Sequence, residues 1–189
     1  MSSKSEQLSK KIDLAVAALS TGGVIAYPTE YCFGLGCDPT NQVAVQRLLK
    51  IKRRQPEQGV ILIASSVAQV EEYVDLQVSP FSSEILNSWP GPNTWVLPAR
   101  NNVSSWVKGT HTGVAVRVTH NSICKALCNQ YGGAIVSTSA NRHGQSALLN
   151  AKSVIDEMGS ELSYVIDELV GGAQSPSSIR DGLTGQQLR

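Results

Sequence analysis

The segment GGVIAYPTEYCFGLGCD, residues 22–38, joins a buried strand to a polar stretch that contains glycines. Residues 24–27 are predicted to form the strand, which stops at Pro28 because proline has no N–H to donate to a sheet. The residues after it are predicted to form a loop that carries a hydroxyl, a carboxylate and a phenol. In that loop, Gly34 and Gly36 allow a positive φ or a close approach of the backbone to a ligand. The segment therefore fits a ligand-binding loop at a strand end and, equally well, a glycine-rich turn without a ligand.

Hydrophobic patterning predicts alternating helices and strands, which is typical of a single α/β domain over residues 1–189. The continuous apolar run at 59–64 predicts a strand that is buried on both faces. In the second helix, Val43, Leu48 and Ile51 are expected to face the core. Helices are predicted over residues 6–20, 41–53, 66–73, 82–89, 121–130 and 151–158, and strands over residues 24–27, 59–64, 94–98, 113–118, 134–136 and 164–166.

The composition is that of a globular protein, since 189 residues with 41% hydrophobic content are enough to bury a core. The apolar runs are much shorter than the roughly 20 residues that a membrane-spanning helix needs. The first residues, MSSKSE, lack the apolar segment of a secretory signal. A cytoplasmic protein without a membrane partner is therefore expected.

Acidic residues are absent from the 71 positions between Glu84 and Asp156. Such a charge asymmetry favours a positive face for an anion such as a nucleotide, phosphate or RNA. The alternative is that acidic residues from both flanks fold against this stretch and neutralise it. The stretch holds nine basic or histidine residues, which are Arg100, Lys108, His111, Arg117, His120, Lys125, Arg142, His143 and Lys152.

A second group of cations, Lys50, Lys52, Arg53 and Arg54, lies at the end of the second helix. Cations are favourable at a helix C-terminus, but the helix dipole accounts for one or two of them rather than four. Side chains at adjacent helix positions diverge by about 100°, so the four cannot all reach one small pocket.

Two further features fit either a structural role or a ligand. Arg117 lies inside the predicted strand 113–118, where a basic side chain either extends out of the sheet or reaches an anion in a cleft. The sequence STSAN at 137–141 follows a buried strand and offers hydroxyl and amide groups, which can cap a helix or bind a polar ligand.

The sequence contains no Walker loop, G-x-G-x-x-G, H-E-x-x-H or G-x-S-x-G motif. Positioning and charge stabilisation are therefore favoured over covalent catalysis.

The four cysteines, Cys32, Cys37, Cys124 and Cys128, have spacings that a zinc site could use. Cys124 and Cys128, however, lie one turn apart on a predicted amphipathic helix, where free cysteine acts as a small core residue. We therefore expect reduced, metal-free cysteines and no metal held by protein side chains.

Seven short motifs, in this order, resemble the YrdC-like family from about residue 8 to the last residue. They are Tyr27-Pro28-Thr29-Glu30, Phe33-Gly34-Leu35-Gly36, Lys52-x-Arg54, Trp89-Pro90-Gly91-Pro92-Asn93-Thr94, Val116-Arg117, Ser137-Thr138-Ser139-Ala140-Asn141 and Pro176-Ser177-Ser178-Ile179. The resemblance implies a single-domain, twisted mixed α/β sheet that is flanked by helices and has a basic concave face.

The resemblance also implies an activity, that of the threonylcarbamoyl-AMP synthases of this family. These nucleotidyltransferases condense L-threonine, bicarbonate and ATP, with Mg²⁺, into threonylcarbamoyl adenylate and pyrophosphate. A threonylcarbamoyl transferase complex then modifies an adenosine next to the tRNA anticodon. Charge stabilisation is implied for Lys52 and Arg54. The implied ATP-binding residues are Lys52, Arg54, Ser139, Asn141 and Arg189, and the implied threonine-binding residues are Thr29, Tyr31, Arg117, Ser137 and Ser177.

The chain departs from the family pattern at three positions. The proline of Lys-x-Arg-Pro is displaced by one residue to Pro56, Ile63 replaces a polar residue, and Ser178 replaces a threonine. One alternative function is a non-catalytic protein of rRNA or tRNA maturation that binds tRNA or double-stranded RNA on the basic face. An aromatic content of only 5% disfavours it, because single-strand binders stack bases on aromatic rings. Another alternative is a carbamoyl-transfer module of hydrogenase maturation, but those modules belong to much longer chains.

Overall fold

The computed structural model of the chain describes residues 3–189, and in these residues one mixed sheet of eight strands packs against helices. The strands are β1 (Ile25–Pro28), β2 (Phe33–Gly36), β3 (Ile61–Ala64), β4 (Asn93–Pro98), β5 (Gly113–Val118), β6 (Ile135–Ser139), β7 (Tyr164–Val165) and β8 (Ser178–Asp181). The helices are α1 (Lys4–Ser20), α2 (Gln42–Lys52), α3 (Val67–Glu71), α4 (Ser82–Asn87), α5 (Ser105–Lys108), α6 (Ser122–Tyr131) and α7 (Ala151–Met158), with short 3₁₀ helices at Pro56–Gln58, Leu76–Val78 and Gly159–Glu161.

The strand order is β7-β1-β2-β6-β3-β5-β4-β8. Strand β6 lies at the centre and is antiparallel to both β2 and β3, whereas β3 and β5 are parallel. The predicted mixed sheet is therefore confirmed, and each predicted helix and strand is present with its ends moved by a few residues. Because β7 and β8 occupy opposite edges of the sheet, the chain between them must cross from one edge to the other.

Strand β2 corrects the prediction that residues 29–38 form a loop. Its four residues are buried and pair with both β1 and β6. The strand was not predicted because two of its four residues are glycines, and glycine is depleted in strands. Neither has a positive φ. A Cβ on Gly36 would lie 2.7 Å from the Tyr27 ring and 2.7 Å from the carbonyl oxygen of Val136, so the close approach is to the protein's own core.

Strand β6 is longer than its predicted range of 134–136 and includes three residues that were expected in a loop. Ser139 pairs with Gly34 of β2, and Ser137 pairs with Ile61 of β3. The hydroxyl residues therefore stand on a central strand, whose backbone groups bond to neighbours on both sides. The inward direction expected for Val43 is also wrong, since this side chain is 73% exposed, whereas Leu48 and Ile51 of the same helix are buried as expected.

Helices α1 and α6 pack together on one face of the sheet, where a cluster of buried side chains includes Ile25, Tyr27 and Ile63. Cys124 and Cys128 of α6 belong to this cluster, as their spacing on the helix predicted. A larger cluster of buried side chains includes residues of α2, β2, β4 and β5. Among the described residues, no helix has the length and apolar content that a membrane span needs.

Candidate active site

A cavity of about 660 Å³ is lined by residues from the β1–β2 connection and from strands β3, β4, β5 and β6. Further lining residues come from the segments that follow α2 and β6, from the end of α5 and the residues after it, from the segment that leads into β8 and from the last two residues. This volume is within the range of small-molecule sites in proteins. Nine of the ten side chains implied by the resemblance line it, namely Thr29, Tyr31, Arg54, Arg117, Ser137, Ser139, Asn141, Ser177 and Arg189.

Lys52 is the exception, because it lies behind the wall and is only 4% exposed. Its Nζ donates to the carbonyl oxygen of Ser139, to the carbonyl oxygen of Asn141 at 3.1 Å and to Asn141 Oδ1 at 3.0 Å. Ser139 Oγ donates to the same Oδ1 at 2.6 Å. Burial, and then the Arg54 charge, lowers the pKa of Lys52 to about 8. Lys52 thus holds the end of β6 in place instead of facing the cavity directly.

The end of α2 directs its four cations to different sides. The N–H of Arg54 bonds to the carbonyl oxygen of Leu49, and the N–H of Arg53 bonds to that of Lys50, both at 3.0 Å, which is the Schellman pattern. Arg53 takes the left-handed position of that motif, with φ 53°. Lys50 and Arg53 are exposed, Lys52 is buried and Arg54 lines the cavity. The predicted divergence of these side chains is confirmed.

At another corner of the cavity, Arg189 contacts Ser177. Arg189 Nη2 donates to the carbonyl oxygen of Ser177 at 3.1 Å, and Ser177 Oγ lies 3.0 Å from Thr94 Oγ1. The resemblance placed Arg189 on the nucleotide side and Ser177 on the threonine side. The two sets of residues that the resemblance implies therefore contact each other at this corner.

Arg117 of β5 pairs with an anion that belongs to the protein. Its Nη1 lies 3.2 Å from Glu30 Oε2, and the side chains are 9% and 7% exposed. The Thr119 hydroxyl donates to Glu30 Oε1 at 2.6 Å, and His120 Nδ1 lies 3.7 Å from the same oxygen. Burial raises the pKa of Glu30, but the Arg117 charge and the Thr119 hydrogen bond outweigh it and hold the pKa below its usual value.

Glu30 is the site residue that sequence reasoning missed. In the sequence it is only the carboxylate of the segment after β1, and no motif assigns it a role. The signal that could have found it is the isolated Arg117 inside a strand, because a buried guanidinium requires an anionic partner.

The cavity is strongly basic, as the resemblance implied. The basic or histidine side chains in its wall are Arg54, Lys108, His111, Arg117 and Arg189, against the single side-chain carboxylate of Glu30. Burial, and then the charge of Arg189, lowers the pKa of Arg54, and burial followed by the charge of Arg117 lowers the pKa of Arg189. The guanidinium groups therefore repel one another across the cavity.

The alternative, that flanking acidic residues neutralise the acid-free stretch, applies to two other cations of that stretch. Arg142 pairs with Glu161, and Lys152 pairs with Asp156 at 2.6 Å. None of these four residues lines the cavity. In the cavity wall, Glu30 from the N-terminal flank pairs with Arg117 of the same stretch, so the stretch is partly neutralised there as well. Arg54 and Arg189 have no acidic partner among the ion pairs of residues 3–189.

A match to one family model identifies the family of this chain. A family model described as "Sua5_yciO_yrdC: Telomere recombination" matches residues 17–189. The chain belongs to the Sua5/YciO/YrdC family. The family resemblance read from the motifs is therefore confirmed.

Two curated relatives of similar length carry the same name. The chain is 46% identical over 184 residues to "Threonylcarbamoyl-AMP synthase" of Vibrio cholerae, with 96% of this chain and 98% of the relative covered. It is 44% identical over 180 residues to the protein of the same name from Stenotrophomonas maltophilia, with 94% of this chain and 97% of the relative covered.

Solved structures of the Sua5/YciO/YrdC family share this fold. P. abyssi Sua5 carrying H234A and Y235A matches with a TM-score of 0.87 at 28% identity over 94% of this chain, and P. abyssi Sua5 complexed with L-threonine matches with a TM-score of 0.83 at 28% identity over 90%. The chain spans about half the length of these Sua5 chains, 55% and 50%. E. coli YciO matches with a TM-score of 0.81 at 23% identity over 95% of this chain and 87% of its own.

The departures from the Sua5/YciO/YrdC motif pattern lie on and near the cavity wall. Pro56 begins the 3₁₀ helix Pro56–Gln58 and does not line the cavity, while Arg54 Nε still donates to the carbonyl oxygen of Gly59 at 3.2 Å. Ile63 lines the cavity. Within residues 3–189, no group of three or more His, Cys, Asp or Glu side chains could hold a metal ion.

Proposed function

We propose that this chain is a threonylcarbamoyl-AMP synthase, which condenses L-threonine, bicarbonate and ATP into threonylcarbamoyl adenylate and pyrophosphate. The observation that carries the proposal is the convergence of Arg54, Arg117 and Arg189, from three separate parts of the chain, on one cavity. Their mutual repulsion is relieved when anions enter, and both the triphosphate and the threonine carboxylate are anions. The name of the curated relatives supports the same activity.

ATP binds at the end of the cavity that Arg54, Ser139 and Asn141 line, with Arg189 at the corner. Lys52 does not contact the ATP directly. Its ammonium group holds Ser139 and Asn141, which line the cavity, and places a positive charge next to these two residues. Phosphoryl chemistry of this kind depends on positioning and on stabilising the charge of the transferring group. Lys52 and Arg54 supply that charge.

Threonine binds at the Arg117 end, where Thr29, Tyr31, Ser137 and Ser177 offer hydroxyl groups. Arg117 binds the threonine carboxylate. The threonine ammonium group gives up one proton, with which bicarbonate dehydrates to carbon dioxide and water. The free amine then adds to carbon dioxide and releases a second proton to solvent, which leaves a carbamate. One carbamate oxygen attacks the α-phosphorus of ATP. Pyrophosphate leaves, and its developing negative charge faces the guanidinium groups.

Magnesium accompanies the nucleotide in this proposal. Mg²⁺ at nucleotide sites keeps several waters and binds the substrate phosphates, so an ion brought in with ATP would be held by phosphate oxygens and water. The wall holds one carboxylate, Glu30, and it already contacts Arg117 and Thr119. When bound, Mg²⁺ neutralises charge on the phosphates.

The adenylate is then consumed by a tRNA-modifying threonylcarbamoyl transferase complex. A tRNA substrate of that complex would meet the exposed cations Lys50 and Arg53, which stand beside the cavity without lining it. Contacts between such cations and phosphates release counterions, so the tRNA affinity would fall as salt is raised.

The test is to identify the product. The protein is incubated with ATP, L-threonine and ¹⁴C-bicarbonate, and the mixture is separated and analysed by mass spectrometry. A single product that contains labelled carbon, threonine and AMP is expected. Formation of ADP, or of AMP without any labelled adduct, would contradict the proposal.

A further inference from the structure

Glu30 brings a negative charge into a cavity whose other charged side chains are basic. A buried carboxylate there weakens the binding of phosphate groups, since like charges repel. Its pKa lies below the usual value, so the carboxylate is ionised at neutral pH. The presence of this charge is explained if Glu30 contacts a cationic group of a substrate.

The pair formed by Glu30 and Arg117 has unused hydrogen-bonding capacity on both sides. Glu30 Oε1 is occupied by the Thr119 hydroxyl. Glu30 Oε2 accepts no hydrogen bond, although Arg117 Nη1 is 3.2 Å away, and Arg117 Nε has no acceptor. Both side chains are more than nine-tenths buried. An acceptor and a donor without partners therefore stand side by side at the cavity wall, where buried polar groups are normally satisfied.

An α-amino acid carries the two groups that complement this pair, a carboxylate and an ammonium on one carbon. We propose that Glu30 binds the α-ammonium group of the amino-acid substrate while Arg117 binds its carboxylate. The inference rests on the proposed function and adds to it a residue that recognises the amine. With the substrate bound, each of the four charges has an opposite charge on either side, which is the condition under which buried charges are tolerated.

The surroundings hold Glu30 in one orientation. Thr119 Oγ1 accepts a hydrogen bond from the N–H of Asn121 at 3.1 Å, which leaves the hydroxyl proton for Glu30 Oε1. The carbonyl oxygen of Glu30 accepts from the N–H of Ala173 at 2.9 Å, and a Cβ on Gly171 would lie 3.0 Å from Glu30 Cα. A carboxylate fixed at both its backbone and its Oε1 holds Oε2 in a defined position, as a specific site requires.

The consequence is selectivity for a free amine. A molecule with the carboxylate and hydroxyl of threonine, but without the amine, would leave Glu30 Oε2 unpaired. Sites built to bond a polar group reject analogues that lack it, because the buried partner loses its contact.

The test compares two ligands in three proteins by isothermal titration calorimetry. The ligands are L-threonine and (3R)-3-hydroxybutyrate, which is threonine without its amine. The proteins are the unchanged chain, Glu30→Gln and a control, Glu57→Gln, which removes the same charge from an exposed position outside the cavity wall. Glu30→Gln should bind threonine about tenfold or more weakly and the analogue within about threefold of the unchanged chain. Glu57→Gln should match the unchanged chain for both.

The other outcomes separate the explanations. Equal weakening of both ligands by Glu30→Gln would mean that Glu30 only orients Arg117, and unchanged threonine binding would mean that it has no role in recognition; each overturns the inference and leaves the proposed function intact. An unchanged chain that fails to bind threonine would overturn both. If Glu30→Gln does not fold, Thr119→Val replaces it, with threonine binding about threefold or more weaker and the analogue unaffected as the expected result. Equal effects on the two ligands in Thr119→Val would again overturn the inference.

Discussion

Lys52 Nζ lies 3.0 Å from Asn141 Oδ1, a contact that joins the last residue of α2 to the residues just beyond β6. The same nitrogen donates to two carbonyl oxygens, so all three protons of a charged ammonium group have acceptors. A neutral amine has only two protons to give. The cavity wall at Ser139 and Asn141 therefore depends on the protonation of a buried lysine.

The first prediction concerns the pH dependence of catalysis. Because burial and the Arg54 charge lower the pKa of Lys52 to about 8, the ammonium form is lost as the pH rises through that value. The kcat/KM for ATP, which reports the groups of the free enzyme, should fall in the same range. In Lys52→Arg this decline should be absent, since arginine stays charged. If the decline near pH 8 persists in Lys52→Arg, it is caused by the titration of another group.

The linked prediction for stability has the opposite sign. Between pH 8 and the ordinary lysine value of 10.5, the unfolded chain holds a proton on Lys52 that the folded chain has lost. The contribution of Lys52 to the free energy of unfolding therefore rises with pH across this window. Urea unfolding of the unchanged chain and of Lys52→Met at several pH values should give a difference that grows in favour of the unchanged chain. A difference that shrinks would contradict the lowered pKa.

The second prediction separates the cations at the end of α2. Arg54→Ala and Lys52→Ala should each reduce adenylate formation at least tenfold, which is about 1.4 kcal/mol of transition-state stabilisation. Lys50→Ala and Arg53→Ala are matched controls, because their exposed side chains do not reach the cavity, and they should leave the rate nearly unchanged. The measurement is pyrophosphate release by the four single variants. Small, equal effects of all four would mean that the cluster is only a solvated helix end.

The third prediction tests the backbone of that helix end. Arg53 has φ 53°, a left-handed conformation that costs a residue with a Cβ roughly 1–2 kcal/mol and that glycine adopts freely. Arg53→Gly should therefore raise the free energy of unfolding, by up to about 1 kcal/mol once the greater freedom of the unfolded glycine is subtracted. Lys50→Gly, an exposed site inside the same helix, should lower it by about 0.5–1 kcal/mol. Urea unfolding of both variants measures the two changes, and a loss of stability in Arg53→Gly would refute the account of this turn.

The fourth prediction assigns the two ends of the cavity. Arg117→Ala should weaken L-threonine binding by about 1.5–3 kcal/mol, the range for a charge-assisted hydrogen bond, and should affect ATP binding less. The fold should also lose about 3–5 kcal/mol, because Glu30 is left as a buried charge without its partner. Calorimetry with each substrate measures the first effect and urea unfolding the second. A loss of ATP affinity with threonine affinity intact would reverse the assignment.

Periodicity predicted the helices, the buried strands and the inward faces of most elements, because these depend on local patterns of apolar residues. It did not predict β2, since Gly34 and Gly36 have low strand propensity and are selected by the Tyr27 ring that packs over them. Nor did it predict that β6 continues through Ser137 and Ser139, because those pairings are made with distant strands. The prediction that Val43 of α2 faces the core was wrong, because this apolar residue in the first turn lies outside the buried face of the helix.

Nine of the ten side chains that the motifs implied line the cavity, but the motifs did not show how these side chains contact one another. The ion pair of Arg117 with Glu30 joins residues 87 positions apart. The contact of Arg189 with Ser177 forms because the residues after β8 fold back against that strand. Lys52 was expected to face the phosphates, yet the Schellman turn after it leaves it behind the wall. Such contacts arise from the tertiary fold, which local sequence patterns do not encode.

The central claim, that this cavity couples three substrates in one adenylation, is tested most directly by pyrophosphate release under omission of each substrate. In the proposed reaction the group that attacks ATP is a carbamate made from threonine and bicarbonate, so release should require ATP, L-threonine and bicarbonate together. Omission of either threonine or bicarbonate should reduce it to background, and Arg54→Ala should reduce the complete reaction at least tenfold, about 1.4 kcal/mol. Pyrophosphate release from ATP alone, at the rate of the complete mixture, would contradict the account and indicate a hydrolase.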